Sequence, residues 1–177
     1  MWITLLIFTI LYIIDQVSKI LTEHFLMFEE VNEFIPNFLH FTKTYNTGAA
    51  WSMFEDNTII LVLISLVGTI VLGYFCTKND WKKAKFPSFC LTMALAGCVG
   101  NFFDRLISVI PSLSDSRPGV VDMIVFKPFD WLCEALNLGT TVFNVADAFL
   151  VVGLILYAID LIFFHERRIK KNAEANN

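Results

Sequence analysis

Four stretches, at positions 2–21, 58–76, 87–107 and 142–164, are apolar for long enough to cross a lipid bilayer. A hydrocarbon core of ~30 Å takes about 20 helical residues at ~1.5 Å each, and each stretch meets that length approximately. The predicted fold is therefore mainly α and integral to the membrane, with four transmembrane helices. Composition agrees, since 56% hydrophobic and 17% charged residues leave too little polar surface for a soluble domain of 177 residues. No long polar segment lies outside the spans, so positions 1–177 are expected to form one membrane-embedded domain. The first stretch lacks a basic leader and a small-residue cleavage site, and it carries Asp15 and Lys19. It is expected to be a retained helix rather than a cleaved signal.

Lysine and arginine set the orientation. Lys78, Lys82, Lys83 and Lys85 fall between the second and third spans, and Arg167, Arg168, Lys170 and Lys171 follow the fourth. Only Lys43 lies between the first two spans, and only Arg117 and Lys127 between the last two. Positive residues stay cytoplasmic, so both termini and the 77–86 loop are predicted inside, with 22–57 and 108–141 outside. A net charge of −4 without a basic stripe argues against a nucleic-acid partner. Cys133 is then the lone thiol on the oxidising side, apart from Cys76, Cys90 and Cys98, so no disulfide is expected. His24, His40 and His165 are scattered and no cysteine–histidine cluster has ligand spacing, so neither a metal nor another cofactor is expected.

With this orientation, polar groups from three spans share one depth. Asp15 and Lys19 sit in the outer half of the first, Asn101, Asp104 and Arg105 near the outer end of the third, and Asn144 and Asp147 in the outer turns of the fourth. A charge inside the bilayer costs roughly 2.5–3.5 kcal/mol on insertion scales, so such groups persist where they pair or line a wet cavity. Singly, each has an ordinary reading. Asp15 and Lys19 are spaced as a self-neutralising helical pair, Asp104 and Arg105 suit snorkelling at the interface, and Asp147 suits a helix N-terminus. Those readings do not explain a common depth. The 58–76 span adds no such group, and Asp160 lies near the basic tail, where an ordinary charge pairing suffices.

The outer segments add candidates. YNTGAAWSMF (45–54) offers Asn46 as donor and acceptor and Gly48 for close backbone approach, although by itself it also reads as a turn with Trp51 and Phe54 at the headgroups. GVVDMIVF (119–126) reads as a short strand or extended piece carrying Asp122, alternatively a solvated aspartate at a turn. FKPFDWLCEALNL (126–138) is aromatic-rich and partly amphipathic, which suits a short interfacial helix.

With no serine–histidine or cysteine–histidine set in evidence, carboxylates are the available chemistry. Two close aspartates in a low-dielectric site share one proton, so that one activates water while the other polarises a carbonyl. Asp15 has Lys19 one turn on, and Asp104 has Arg105 beside it in sequence. Asp122 and Asp147 have no local counter-charge, which makes them the better candidate pair.

At these residues the sequence resembles the signal peptidase II family of bacterial membrane aspartyl proteases. The matching blocks are IDQVSK (14–19), YNTGAAWS (45–52), AGCVGNFFDRL (96–106), VVDMI (120–124) and FNVADAFLVVG (143–153), in family order. The resemblance implies an endopeptidase of the cytoplasmic (inner) membrane, its active site near the outer leaflet surface, that removes signal peptides from prolipoproteins before a diacylglyceryl-modified cysteine. It implies Asp122 and Asp147 as the catalytic pair, with Asp15, Lys19, Asn46, Gly48, Asn101, Asp104, Arg105 and Asn144 shaping the site or contacting substrate. It also implies a small extracytoplasmic β-like cradle with a short helix over the site, drawn from 22–57 and 108–141. Lipid-modified prolipoproteins and membrane lipids are the expected partners, with inhibitors of the globomycin type and a monomeric chain. Ala96 and Cys98 stand where the family usually has glycine and alanine, and the 107–119 and 122–147 connections are longer than typical. Two other classes remain open here. An ion or proton path would mark several depths of the bilayer, and a non-catalytic membrane factor would have no need of both Asp122 and Asp147.

Overall fold

In the computed structural model of the chain, residues 2–47, 58–110, 117–135 and 141–174 are described. Four helices among them are long and apolar enough to cross a membrane: α1 (Trp2–Phe25), α2 (Thr58–Lys78), α3 (Lys85–Ser108) and α5 (Val145–Phe163). Three outrun the apolar stretches from which they are predicted, because a helix continues through polar residues once its apolar middle is set. Helix α3 is the hub and packs against each of the other three. Its neighbours leave large apolar side chains such as Leu6, Val67 and Ile155 uncovered, as a lipid-facing surface requires.

Small residues make the hub possible. A Cβ on Gly97 would lie 2.2 Å from the backbone oxygen of Ala146, and one on Gly153 would lie 2.7 Å from that of Cys90, so α3 and α5 touch backbone to backbone. Ala96 is fully buried and Cys98 nearly so, and the bulk they add over the usual residues is absorbed within this packing.

One end of the bundle carries a four-stranded antiparallel sheet of β1 (Asn32–Ile35), β2 (Leu39–Asn46), β3 (Val120–Phe126) and β4 (Val142–Phe143), in that spatial order. Pro36 and Asn37 turn the β1–β2 hairpin. Proline presets its own φ, Asn37 takes a φ of 56°, and the Phe38 N–H closes the turn on the Ile35 carbonyl at 3.1 Å. Aromatic pairs cross the strands, with Phe34 on Phe41 at 5.6 Å and Phe38 on Phe126 at 5.0 Å. The expected extended piece at 119–126 is thus strand β3. The 126–138 segment splits into the end of β3, a 3-10 turn at Lys127–Phe129 and the short helix α4 (Asp130–Ala135), while 136–138 lie outside the described residues. The Cys133 sulfur and the Thr141 hydroxyl lie 2.9 Å apart, which ties α4 to the approach of β4.

The fourth span differs from the 142–164 expected. Val142 and Phe143 belong to β4, Asn144 is extended (φ −119°, ψ 179°), and α5 begins only at Val145. An apolar Val–Phe dipeptide reads the same at a strand end as at a helix start, so the boundary was hidden. Beyond α5, Arg168 on helix α6 (His165–Glu174) grips Asp160 through both carboxylate oxygens at 2.6 Å, the ordinary pairing expected of Asp160.

Candidate active site

The first turn of α5 organises the site. Asn144 is its N-cap and Asp147 the third residue in. The Asn144 side-chain oxygen accepts from the Asp147 N–H at 2.9 Å, and Asp147 Oδ2 accepts from the Asn144 N–H at 3.1 Å. This reciprocal capping box explains the spacing of the two residues. A carboxylate here also meets the positive end of the helix dipole, so the ordinary reading of Asp147 holds as far as it goes. It leaves the other oxygen free for further contact.

That oxygen, Asp147 Oδ1, accepts from Asn101 Nδ2 at 2.7 Å. Asn101 Oδ1 in turn accepts from Asn144 Nδ2 at 3.2 Å and from Lys19 Nζ at 3.3 Å. Asn144 Nδ2 also donates to Asp122 Oδ1 at 2.7 Å. The second oxygen of Asp122 accepts from Asn46 Nδ2 at 3.0 Å. The register explains the last contact: Thr44 faces Asp122 and Asn46 faces Val120, which sets Asn46 diagonally across from Asp122 on one face. The side chains of Asn144, Asn101 and Asn46 therefore hold both aspartates, with Asn144 touching each.

Asp122 is 2% exposed, which removes the reading of a solvated turn aspartate. Burial first, and then the charge of Asp147, push its carboxyl up to about 7; the amide donors and Lys19 pull the other way. A carboxyl in that range is partly protonated at neutral pH.

Beneath this pair lies a fully buried ion cluster. Lys19 Nζ is 2.9 Å from Asp15 Oδ2 and 2.6 Å from Asp104 Oδ2, with all three side chains excluded from solvent. Asp15 Oδ1 accepts from the Ala146 N–H at 2.9 Å and so satisfies another free donor at the start of α5. The helical Asp15–Lys19 pairing is real, but it is half of a larger set that also holds Asn101. Gly100 makes room for it, since a Cβ there would stand 2.5 Å from Asp15 Oδ2.

The structure thus brings together Asp15, Lys19, Asn46, Asn101, Asp104, Asp122, Asn144 and Asp147 on α1, α3, α5 and two strands. Arg105 points elsewhere: its Nη1 donates to Ser65 Oγ on α2 at 3.0 Å, so α2 contributes a contact that its apolar sequence concealed. Gly48 lies outside the described residues. Glu23 and Arg117 are additional: Arg117 grips Glu23 at 2.9 and 2.5 Å and reaches Asp104 Oδ1 at 3.4 Å. One acidic residue near a helix end and one loop arginine 94 positions on give no local signal of meeting.

Chemically, the arrangement is two carboxyl groups joined through amides and bordered by a buried cation. Such a pair can carry one proton between its members, the requirement for moving a proton off water while donating a hydrogen bond to a carbonyl.

The sequence matches the family model described as signal peptidase (SPase) II over residues 7–163. It is 38% identical over 173 residues to the lipoprotein signal peptidase of Enterococcus faecalis, covering 97% of this chain and 94% of that one. With the lipoprotein signal peptidase of Caldanaerobacter subterraneus it shares 35% identity over 151 residues, covering 85% of this chain and 89% of the relative. Two solved bacterial membrane enzyme structures superpose with a TM-score of 0.73 at 29% identity; they cover 92% and 93% of this chain, and 88% and 95% of their own.

Proposed function

This chain belongs to the signal peptidase II family of proteases, and from that premise we propose that Asp122 and Asp147 are its catalytic residues. The observation that carries the reading is the bridge made by Asn144, which donates to Asp122 from its side chain and to Asp147 from its backbone. A purely structural N-cap has no need of a second buried carboxylate from a strand.

As a lipoprotein signal peptidase of the bacterial inner membrane, the enzyme hydrolyses a peptide bond. In the proposed mechanism Asp122 carries the shared proton at rest, supported by its position near 7, and Asp147 is the base. Asp147 takes a proton from a water between the two carboxyl groups, and the oxygen attacks the scissile carbonyl carbon. Asp122 donates to the carbonyl oxygen as it gains negative charge. Collapse of the tetrahedral intermediate breaks the C–N bond as Asp147 passes the proton it took from water to the leaving nitrogen and Asp122 recovers its proton from the former carbonyl oxygen. Asn101 and Asn144 keep Asp147 oriented through the cycle, and Lys19 keeps Asp15 and Asp104 neutralised nearby.

The proposed substrate is a prolipoprotein cut before its diacylglyceryl-modified cysteine. The exposed apolar flanks of the long helices support lateral entry of such a lipid from the bilayer. The lysine and arginine distribution supports cytoplasmic termini and a site at the outer leaflet surface. One chain supplies every group of the reading, in keeping with a monomer, and a globomycin-type peptide is expected to compete at the same site. The deciding experiment incubates purified protein with diacylglyceryl-modified prolipoprotein and with its unmodified form. Cleavage of the modified form alone is expected; cleavage of neither would remove the activity, and equal cleavage of both would remove the lipid requirement.

A further inference from the structure

Arg117 and Glu23 lie outside the hydrogen bonds that hold the two aspartates, yet they join three elements. Glu23 is in the last turn of α1, Asp104 in the last turns of α3, and Arg117 just ahead of β3. The guanidinium meets Glu23 with two N–H groups, at 2.9 and 2.5 Å, and Asp104 with a third at 3.4 Å. Its side chain is 14% exposed, that of Glu23 26%, and that of Asp104 fully buried. A bidentate guanidinium–carboxylate pair in such surroundings is both strong and directional. The contact with Glu23 holds the guanidinium firmly charged.

We infer that Arg117 is a positioning residue for the reaction: by clamping Glu23 and Asp104 it seats the start of β3, and with it Asp122, against the sheet ends of α1 and α3. Between Arg117 and Asp122 the chain has little slack. A Cβ on Gly119 would stand 2.5 Å from the Asn46 carbonyl, so this stretch is pressed onto the strand end that donates to Asp122. The same strand end lies close to Glu23, whose charge, after burial, pushes the Tyr45 hydroxyl up. Arg117 thus holds the start of β3, and through Gly119 the strand end that carries Asn46. Its charge matters as well. Asp15, Asp104 and Glu23 set three carboxylates against Lys19, and Arg117 cuts that excess from two to one; without it Asp104 would face Lys19 alone with Asp15 as a competitor.

The inference rests on Asp122 being half of the reacting pair, so the test includes Asp122→Asn as a reference. Arg117→Gln, Arg117→Lys, Glu23→Gln and the exchange Glu23→Arg with Arg117→Glu are purified, and kcat and KM are measured on diacylglyceryl-modified prolipoprotein. Misplacing a reacting group by about 1 Å costs on the order of a hundredfold. Arg117→Gln is accordingly expected to lower kcat by about ten- to a hundredfold while KM stays within about twofold, with Glu23→Gln smaller in the same direction. Arg117→Lys should recover part of the rate, since a lysine keeps the charge but not the fork. The exchange should not recover it, because a glutamate at 117 would face Asp104. Wild-type kcat in both Arg117→Gln and Glu23→Gln, beside an inactive Asp122→Asn, would overturn the positioning role alone. Full recovery by the exchange would overturn the part given to Asp104. An active Asp122→Asn would overturn the catalytic reading and this inference with it.

Discussion

Asn144 donates to Asp122 across 2.7 Å from the residue that also begins the last long helix, so one side chain serves as both helix cap and link to the sheet. Loss of this amide acts on two levels. Asn144→Ala should destabilise the fold by roughly 1 kcal/mol as a lost cap, and should lower kcat much further by taking the amide donor from Asp122 and from Asn101, which positions Asp147. Thermal unfolding and turnover measured together separate the two effects. A rate loss no larger than expected from the unfolded fraction would reduce Asn144 to a cap.

Replacing either carboxyl group should be far more severe. Asp122→Asn and Asp147→Asn each keep a similar shape while removing the acid or the base, whose contribution is of order 10²–10⁴ in rate. Both variants should insert and purify like the parent. Detectable cleavage at near-parent rates by either one would show that the pair is not the engine of the reaction.

The position of Asp122 near 7 gives a pH dependence with a definite sign. The raised value favours the protonated form, so the singly protonated pair persists up to that pH. Above it Asp122 ionises and the hydrogen-bond donor to the carbonyl is lost. Initial rates are therefore expected to fall as pH rises through about 7, and the limb belongs to the coupled pair rather than to one residue. A rate unchanged between pH 7 and 9 would contradict the assignment.

Gly100→Ala tests the buried ion cluster without touching a charged group. The new methyl would meet Asp15 Oδ2 at 2.5 Å and the Ala146 Cβ at 3.3 Å. The displaced carboxylate would let go of the Ala146 N–H or of Lys19. A loss of activity with lowered thermal stability is expected, read by cleavage and by melting in detergent. Parent-like behaviour in both would mean that the cluster has more room than the distances indicate.

How far the fold and the site could be read in the sequence follows from the range of each interaction. Asp15 with Lys19, and Asn144 with Asp147, are spaced by about one helical turn, and that periodicity is local. The four apolar lengths needed only the thickness of a bilayer. A small cradle could be expected from the family resemblance, but strand order could not, because β2 and β3 lie far apart in the chain and their register is set by tertiary contacts. Ser65 is a hydroxyl in a largely apolar helix, and its contact with Arg105 is a tertiary one with no local signal. Glu23 and Arg117 carried charge whose partners were undefined in one dimension; Arg117 read only as a marker of topology.

The pairing of Ile124 with Phe143 and Val125 with Val142 brings the chain back beside the point it left. Whatever length the intervening excursion has, its two feet stay stapled to adjacent rungs. The spacing of the carboxyl groups on either side is thereby set by the rungs of the sheet and not by the length of chain between them.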